Sequence, residues 1–264
     1  AKTLDMESSL VRSEETKKEN MPFVEFDHVS MKYNSNEESL SNVNFVANRG
    51  ESIGVIGGTG SGKTTLINLL AHLYDVSSGA IYIDGRNVTS ISDEELHHII
   101  GIVPQKAVLF KGTIRSNMCL RKEDASEEEI LEALTVAQAK DFVLKKENGI
   151  DAVVEQEGKN FSGGQRQRLT IARALVGNPS IVILDDSASA LDFLTDLNLR
   201  KALKTLKNNP LVFIISQRTS SIAHCDKIIV LDDGKVVGIG KHDELLNNCE
   251  VYKEIYDSQF KKEE

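Results

Sequence analysis

The chain has 264 residues, a formal net charge of −9 and a hydrophobic content of 40%. This length allows one large domain or two small ones, and the apolar content is sufficient for a core. The acidic balance argues against nucleic acid as the main partner, because binding to phosphate backbones needs concentrated Lys and Arg.

The cysteines and the apolar runs indicate a cytosolic setting. Cys119, Cys225 and Cys249 are far apart and lack metal-ligand spacing, which favours reduced thiols. The longest apolar runs fall well short of the ~20 residues of a membrane span. The first residues also lack the apolar region of a signal peptide. We therefore expect neither a membrane span nor a signal peptide in this sequence.

The N-terminal part combines a polar segment with strand-like pieces. Residues 1–21 are rich in charge, and we interpret them as a solvated linker before a domain over 22–264. Residues 23–26, 29–33 and 42–46 alternate in the manner of β-strands. Tyr33, at the end of the second piece, is either a half-exposed strand aromatic or a residue that stacks on a base.

A glycine-rich loop follows the apolar strand 53–56 and precedes a helix that begins near Leu66. Its spacing matches the phosphate-binding loop G-x-x-x-x-G-K-[ST]. Such a loop gathers backbone N–H groups around anionic oxygens, and the helix N-terminus adds positive charge. Lys63 reaches the β- and γ-phosphates and Thr64 offers a hydroxyl to Mg²⁺. The sequence therefore predicts a nucleoside triphosphate site that includes Gly57, Gly58, Thr59, Gly60, Ser61, Gly62, Lys63, Thr64 and Thr65.

The middle of the chain changes from strands to helices. Residues 81–85 predict a strand and an Asp-Gly turn, and a capping box at Ser92 predicts a short helix. A strand at 102–103 then leads into Gln105. A second capping box, at Ser126, begins a helix in the segment 106–160, which we interpret as an inserted and mainly helical subdomain.

The second half contains another glycine-rich helix start. Ser162-Gly163-Gly164-Gln165 precedes an apolar-periodic helix, and either an anion site or an ordinary helix start explains it. The apolar run 181–184 is typical of a buried parallel strand and ends in Asp185 and Asp186. Because ligands bind at the carboxyl ends of such strands, Asp185 is the candidate partner of Mg²⁺.

The remaining elements complete an α/β pattern. Residues 211–215 predict another buried strand, which ends at Gln217, and residues 228–239 predict a hairpin around Asp233-Gly234. The stretch 243–264 is helical in pattern. We interpret its stripe of Tyr252, Ile255, Tyr256 and Phe260 as core packing.

The order of these motifs closely resembles the nucleotide-binding domain of ABC transporters, over about residues 23–259. Phe161–Gln165 is similar to the family signature, and Ser189–Asp192 to its D-loop. Residues 103–105 with 109–114, and residues 240–246, are similar to exporter segments. The resemblance implies an α/β fold: a RecA-like P-loop NTPase core, an N-terminal antiparallel β subdomain and an inserted α-helical subdomain.

The family resemblance also implies how the site is used. Two such domains meet head to tail around Mg-ATP, and each site takes its phosphate loop from one chain and its signature from the other. Tyr33 falls at the adenine-stacking position, and Gln105 at the glutamine that touches Mg²⁺ or water. The signature residues that would face the partner's ATP are Ser162, Gly163, Gly164 and Gln165. A transmembrane domain is the further implied partner, at the cytoplasmic face of the cell membrane.

Two departures from the family pattern change the functional expectation. Asp186 stands where the general base is usually Glu, and Gln217 where a switch histidine contacts the γ-phosphate. Residues 154–158, before the signature, also depart from the usual pattern. We therefore expect a degenerate site with weak hydrolysis, in one subunit of a heterodimeric exporter. The alternatives are a fully active ATPase domain of a homodimeric exporter, and a soluble ABC protein that acts on nucleic acid or ribosomes.

Overall fold

The structure is a computed structural model that describes residues 10–33, 38–187 and 191–260. The strands, in chain order, are β1 (Val24–Lys32), β2 (Glu38–Ala47), β3 (Ser52–Ile56), β4 (Ser78–Ile83), β5 (Arg86–Asn87), β6 (Ile100–Val103), β7 (Gly112–Thr113), β8 (Val153–Val154), β9 (Ile181–Asp185), β10 (Leu211–Ile215), β11 (Lys227–Asp232) and β12 (Lys235–Gly240). The helices are α1 (Lys63–Leu70), α2 (Asp93–Ile99), α3 (Ile114–Cys119), α4 (Glu127–Val136), α5 (Lys140–Leu144), α6 (Gly163–Leu175), α7 (Phe193–Lys204), α8 (Thr219–Ile222), α9 (His242–Asn248) and α10 (Glu250–Phe260).

A six-stranded sheet forms the centre of the fold, in the order β12-β11-β3-β10-β9-β6. Neighbouring strands run parallel, except in the hairpin of β11 and β12. Every residue of β3 and β10 is buried, as expected of continuous apolar runs inside a parallel sheet. In the register of the sheet, Ile215 lies level with Val55 on one side and with Asp185 on the other. The carboxyl ends of β3, β9 and β10 therefore meet at one edge.

A four-stranded antiparallel sheet, in the order β2-β1-β4-β5, packs beside the central one. The two strand pieces predicted at 23–26 and 29–33 are one strand here, β1, whose pairing is irregular around His28 at a φ of 49°. Phe45 of β2 joins the two sheets: its ring stacks on Phe26 at 4.5 Å and meets Phe213 edge-on at 6.5 Å. The predicted N-terminal antiparallel subdomain is confirmed.

The segment 106–160 contains α3, α4 and α5, in agreement with the helical prediction. The capping box that begins α4 is present: Ser126 accepts from the Glu129 N–H at 3.2 Å, and the Glu129 carboxylate accepts from the Ser126 N–H at 2.9 Å. The antiparallel pair of β7 with β8 was not predicted. Each of its strands has two residues, which is too short to produce an alternating pattern.

The capping box predicted at Ser92 forms only in part. Ser92 accepts from the Glu95 N–H at 3.2 Å and so caps α2. The Glu95 carboxylate instead pairs with Arg86, at 2.5 and 3.1 Å. A bidentate pair between two charged groups is stronger than a single bond from the carboxylate to a backbone N–H, which explains why Arg86 is the preferred partner.

Arg121 connects the helical segment to the central sheet. Its guanidinium donates to the backbone carbonyls of Ile100 at 3.0 Å, Val176 at 2.9 Å and His98 at 3.1 Å. Burial lowers the pKa of Arg121 to about 10. Arg121 and Arg173 both line a cavity of about 230 Å³. The Nη1 of Arg173 is buried and has no hydrogen-bond partner among the described residues.

The N-terminal segment is exposed but held in place. Residues 10–20 form neither helix nor strand, and most of them face solvent, as expected of a linker. Backbone hydrogen bonds nevertheless join Ser13 to Thr89 at 3.1 Å and Lys18 to Gly85 at 2.8 Å. The described part of this segment therefore lies along the hairpin of β4 and β5.

The C-terminal helical pattern divides at Cys249 into α9 and α10. Tyr252 is fully buried, which agrees with the core-packing interpretation of the aromatic stripe. That interpretation is wrong for Phe260, which is 55% exposed and contacts Tyr256. Within the residues that the structure describes, no helix combines the length and the apolar character needed to cross a membrane.

Candidate functional site

The glycine-rich loop joins the buried strand β3 to α1. A side chain at position 57 would bring its Cβ within 2.1 Å of the Leu231 carbonyl oxygen and 2.4 Å of the Ser61 Oγ. Gly62, the N-cap of α1, has a φ of 102°, which side chains rarely adopt. No side chain caps α1 at this position, so its first N–H groups are not bound by a capping side chain. Glycine is therefore a structural requirement at both positions.

Lys63 folds back over the loop that precedes it. Its Nζ donates to the carbonyl oxygens of Gly57 at 2.8 Å and Gly58 at 2.7 Å. Burial lowers the pKa of Lys63, while the nearby Asp185 and Asp186 act in the opposite direction. A half-buried cation at this position attracts anionic ligands to the edge of the sheet.

Two carboxylates stand at the end of β9. Burial and the neighbouring Asp186 raise the pKa of Asp185, and Lys63 opposes this shift. Asp186 has a φ of 44°, and its N–H donates to the Ile215 carbonyl at 2.9 Å. Its Oδ2 accepts from the Gln105 Nε2 at 3.4 Å. The turn at Asp186 therefore brings the side chains of residues 105 and 186 together across 81 positions of the chain.

Part of the predicted set of residues lines one pocket of about 140 Å³. Its lining is Thr59, Gly60, Lys63, Thr64, Gln105, Asp185, Asp186, Ile215, Ser216 and Gln217. The remaining loop residues and Tyr33 do not line it. Sequence reasoning missed Ile215 and Ser216 as members. The end of the apolar run 211–215 is the signal that could have found them, because β10 ends at the same edge as β9.

Tyr33 lies beside the loop rather than in the pocket. Its hydroxyl donates to the Thr65 Oγ1 at 3.3 Å, and its ring meets Tyr74 edge-on at 5.2 Å. Both rings are exposed, at 37% and 44%. Tyr74 is a second aromatic neighbour that sequence reasoning missed, since it lies in the irregular segment after α1.

The Ser162–Gln165 motif caps a helix in a different place. Ser162 accepts from the Gln165 N–H at 3.2 Å, and the Gln165 side chain accepts from the Ser162 N–H at 3.0 Å. Gly163 lines a second cleft, of about 560 Å³, together with Gln105, Lys106, Ala107, Val108, Glu157, Lys159, Arg166 and Gln167. No residue of this motif, Gly164 included, lines the pocket of the phosphate loop, whereas Gln105 lines both spaces.

The predicted D-loop lies partly outside the described residues. Ser189 and Ala190 are not described, whereas Asp192 is the N-cap of α7 and accepts from the Thr195 N–H at 2.9 Å.

The pocket residues fit a magnesium ion chemically. Thr64, Gln105 and Asp185 offer hydroxyl, amide and carboxylate oxygens, which Mg²⁺ prefers. The described residues contain no cluster of three or more His, Cys, Asp or Glu side chains suited to a metal. Mg²⁺ usually binds through one or two carboxylates together with substrate phosphates, so the pocket needs no such cluster.

The arrangement of a buried strand, a glycine loop, a helix and a neighbouring strand that ends in aspartate defines a P-loop nucleotide-binding core. The chain belongs to the ABC transporter family, whose family model matches residues 40–189.

Several relatives show how far the similarity extends. The chain is 46% identical over 241 residues to the uncharacterized ABC transporter ATP-binding protein YfiB of Bacillus subtilis, covering 91% of this chain and 42% of that protein. It is 40% identical over 237 residues to a putative multidrug export ATP-binding/permease protein of Staphylococcus aureus, covering 89% and 41%. The structure of a bacterial Atm1-family ABC exporter with ATP bound matches with a TM-score of 0.85 and 33% identity, covering 96% and 44%. The chain thus spans less than half the length of these relatives.

Proposed function

We propose that this chain is the ATP-binding domain of an ABC exporter, and that it binds Mg-ATP in a head-to-tail dimer. The observation that carries the proposal is the single pocket that joins Lys63 and Thr64 to Gln105, Asp185 and Gln217. In this proposal Lys63 neutralises the β- and γ-phosphates, and its ammonium moves from the loop carbonyls to the phosphate oxygens. Thr64, Asp185 and Gln105 would hold Mg²⁺, and Tyr33 would stack on the adenine.

The dimer would supply the signature motif that the pocket lacks. Gly163 lines a separate cleft, and no residue of Ser162–Gln165 lines the pocket of the phosphate loop, so this chain's own signature would not serve its own phosphate loop. A second nucleotide-binding domain would provide a signature to this site and receive this one in return. The signature is nearly intact, which supports a role in binding the ATP held by the partner domain. Ser162 caps a helix whose N-terminus favours negative charge.

The site's own hydrolysis is proposed to be weak. Asp186 is one methylene shorter than Glu, which withdraws the carboxylate by roughly 1–1.5 Å, and a 1 Å misplacement can cost about a hundredfold in rate. Gln217 donates a hydrogen bond but cannot become cationic. Both changes weaken the stabilisation of charge in the transition state. A different chain with a complete site would then be the partner, and the pair would drive export.

The membrane-bound part of the protein is also a proposal. The relatives named for multidrug export and for the Atm1 family are exporters, and this chain matches 41% and 44% of their lengths. A transmembrane domain would account for the rest and would hold this domain at the cytoplasmic face of the membrane. In this arrangement residues 1–21 connect the two domains.

The test is Mg-ATP turnover by this chain beside the Asp186→Glu/Gln217→His double variant. Lys63→Ala serves as the blank, ATP binding is measured for all three, and the protein concentration is varied widely so that a dimer can form. A double variant that turns over much faster than the parent supports the degenerate site. If the parent hydrolyses ATP as fast as the double variant, and both are faster than the blank, the site is a working ATPase. The reason to expect a different partner chain is then gone. A parent that binds no ATP contradicts the whole proposal.

A further inference from the structure

The C-terminal helix reaches the loop that carries Gln217. Gln259 lies near the end of α10, and its amide makes hydrogen bonds to two residues of this loop. Its Nε2 donates to the backbone carbonyl of Gln217 at 2.7 Å. Its Oε1 accepts from the N–H of Thr219 at 2.9 Å and from the Thr219 hydroxyl at 3.0 Å. One side chain therefore ties residues 217 and 219 to a helix about 40 positions away in sequence.

The loop is fixed to the sheet on its other side. The Ser216 N–H donates to the Val55 carbonyl at 3.1 Å, on the strand that leads into the phosphate loop. The Ser216 Oγ accepts from the Arg218 N–H at 3.0 Å. The sheet thus holds the residue before Gln217, and Gln259 holds the carbonyl of Gln217 itself. Gln217 lines the pocket, and its backbone is held from both sides.

The helix that carries Gln259 is itself anchored. Tyr252, two turns earlier in α10, is fully buried, and its hydroxyl lies 2.7 Å from the His242 Nδ1. Gln259 is exposed apart from its bonds to the loop, so replacing it removes little packing. A fixed helix with an exposed amide at its end can position the loop without being needed for folding.

We propose that Gln259 is a positioning residue of the nucleotide site, which places Gln217 against the terminal phosphate of the nucleotide. This inference rests on the proposed function, because it requires ATP in the pocket. An amide suits the position because one group must donate to the Gln217 carbonyl and accept from Thr219. Gln259 would act through Gln217 and would not touch the nucleotide.

The experiment compares the binding of Mg-ADP and of a non-hydrolysable Mg-ATP analogue by the full chain. Gln259→Met removes all the hydrogen bonds of the amide at similar length. We expect the analogue to bind about fivefold more weakly, the equivalent of one hydrogen bond of about 1 kcal/mol, and ADP to change less than twofold. Ser258→Ala is the matched control: it alters the adjacent exposed residue, whose hydroxyl donates within its own helix, and neither affinity should change.

Two further variants separate positioning from a structural role. Gln259→Glu keeps the acceptor for Thr219 but loses the donor to the Gln217 carbonyl, so we expect it to weaken the analogue as Met does. In a Gln217→Ala background, Gln259→Met should have no further effect, because the side chain that it positions is gone.

Three results would overturn the inference while leaving the proposed function intact. These are an equal change in affinity for both nucleotides, a Glu variant that binds the analogue as the parent does, and losses that add in the double variant. A parent that binds neither nucleotide overturns the proposed function itself, and this inference with it.

Discussion

Replacing Arg121 with methionine should strongly destabilise the junction between the helical segment and the central sheet. The substitution keeps an apolar stem of similar length but removes the donors to three backbone carbonyls. Two of these belong to the buried residues Ile100 and Val176, and a buried acceptor left without a partner costs about 1–3 kcal/mol. The parent has a desolvation cost for burying the charged guanidinium, and the methionine variant avoids this cost, which offsets part of the lost stability. We expect the free energy of unfolding to fall by about 2–4 kcal/mol.

Arg173→Met is the matched control, because Arg173 lines the same cavity but has a buried nitrogen without a partner among the described residues. We expect this variant to stay within about 1 kcal/mol of the parent. Urea unfolding followed by far-UV circular dichroism measures both, and the Arg121 variant should lose about 1 M in midpoint. If both variants unfold at the same urea concentration, the carbonyl bonds of Arg121 do not stabilise the junction and the reasoning is wrong.

Three further predictions concern the loop, the metal and acid stability. Gly57→Ala should weaken ATP binding more than tenfold in a nucleotide titration, because the added Cβ would collide with the Leu231 carbonyl. Gly58→Ala is the control: a Cβ there has no atom within 4 Å, so this variant should bind ATP as the parent does. Asp185→Asn should weaken ATP binding in Mg²⁺ but not in EDTA; equal losses under both conditions would contradict the metal role. Burial and the nearby Arg200 lower the pKa of His224 to about 4 in the folded chain. In the unfolded chain the histidine has its ordinary pKa of about 6.5, so between these two pH values the unfolded state binds one more proton than the folded state. Stability should therefore fall as the pH falls from about 6.5 to 4, and His224→Gln should flatten that slope in urea unfolding; an unchanged slope would refute the assignment.

Local patterns were sufficient to predict most of the fold. The continuous apolar runs at 181–184 and 211–215 became buried parallel strands, because such runs can be satisfied only inside a covered sheet. The capping box at Ser126 formed as predicted, because the Glu129 carboxylate accepts from the Ser126 N–H, whereas the Glu95 carboxylate of the other box is bound by Arg86. The missed pair of β7 and β8 joins residues about 40 positions apart, and two-residue strands leave no periodic signal.

The candidate site divides in the same way. The loop 57–65 was predicted from its spacing between an apolar strand and a helix, because its backbone conformation depends on its own glycines. Asp185 was predicted because a strand end is itself a local feature. The roles of Asp186 and Gln217 rest on a family pattern and stay predictions. Their surroundings could not be predicted, because Gln105 reaches Asp186 across 81 positions.

Glycine spacing and apolar periodicity were enough to predict the long buried strands, the phosphate loop and its candidate ligands, because both constrain the backbone locally. Packing in three dimensions settles which groups from separate elements meet. It placed Glu95 on Arg86 rather than on its own helix, Tyr74 beside Tyr33, and Gln259 against the Gln217 loop. Each of these contacts forms because separate elements pack against each other, and contacts between such elements leave no mark in a local pattern.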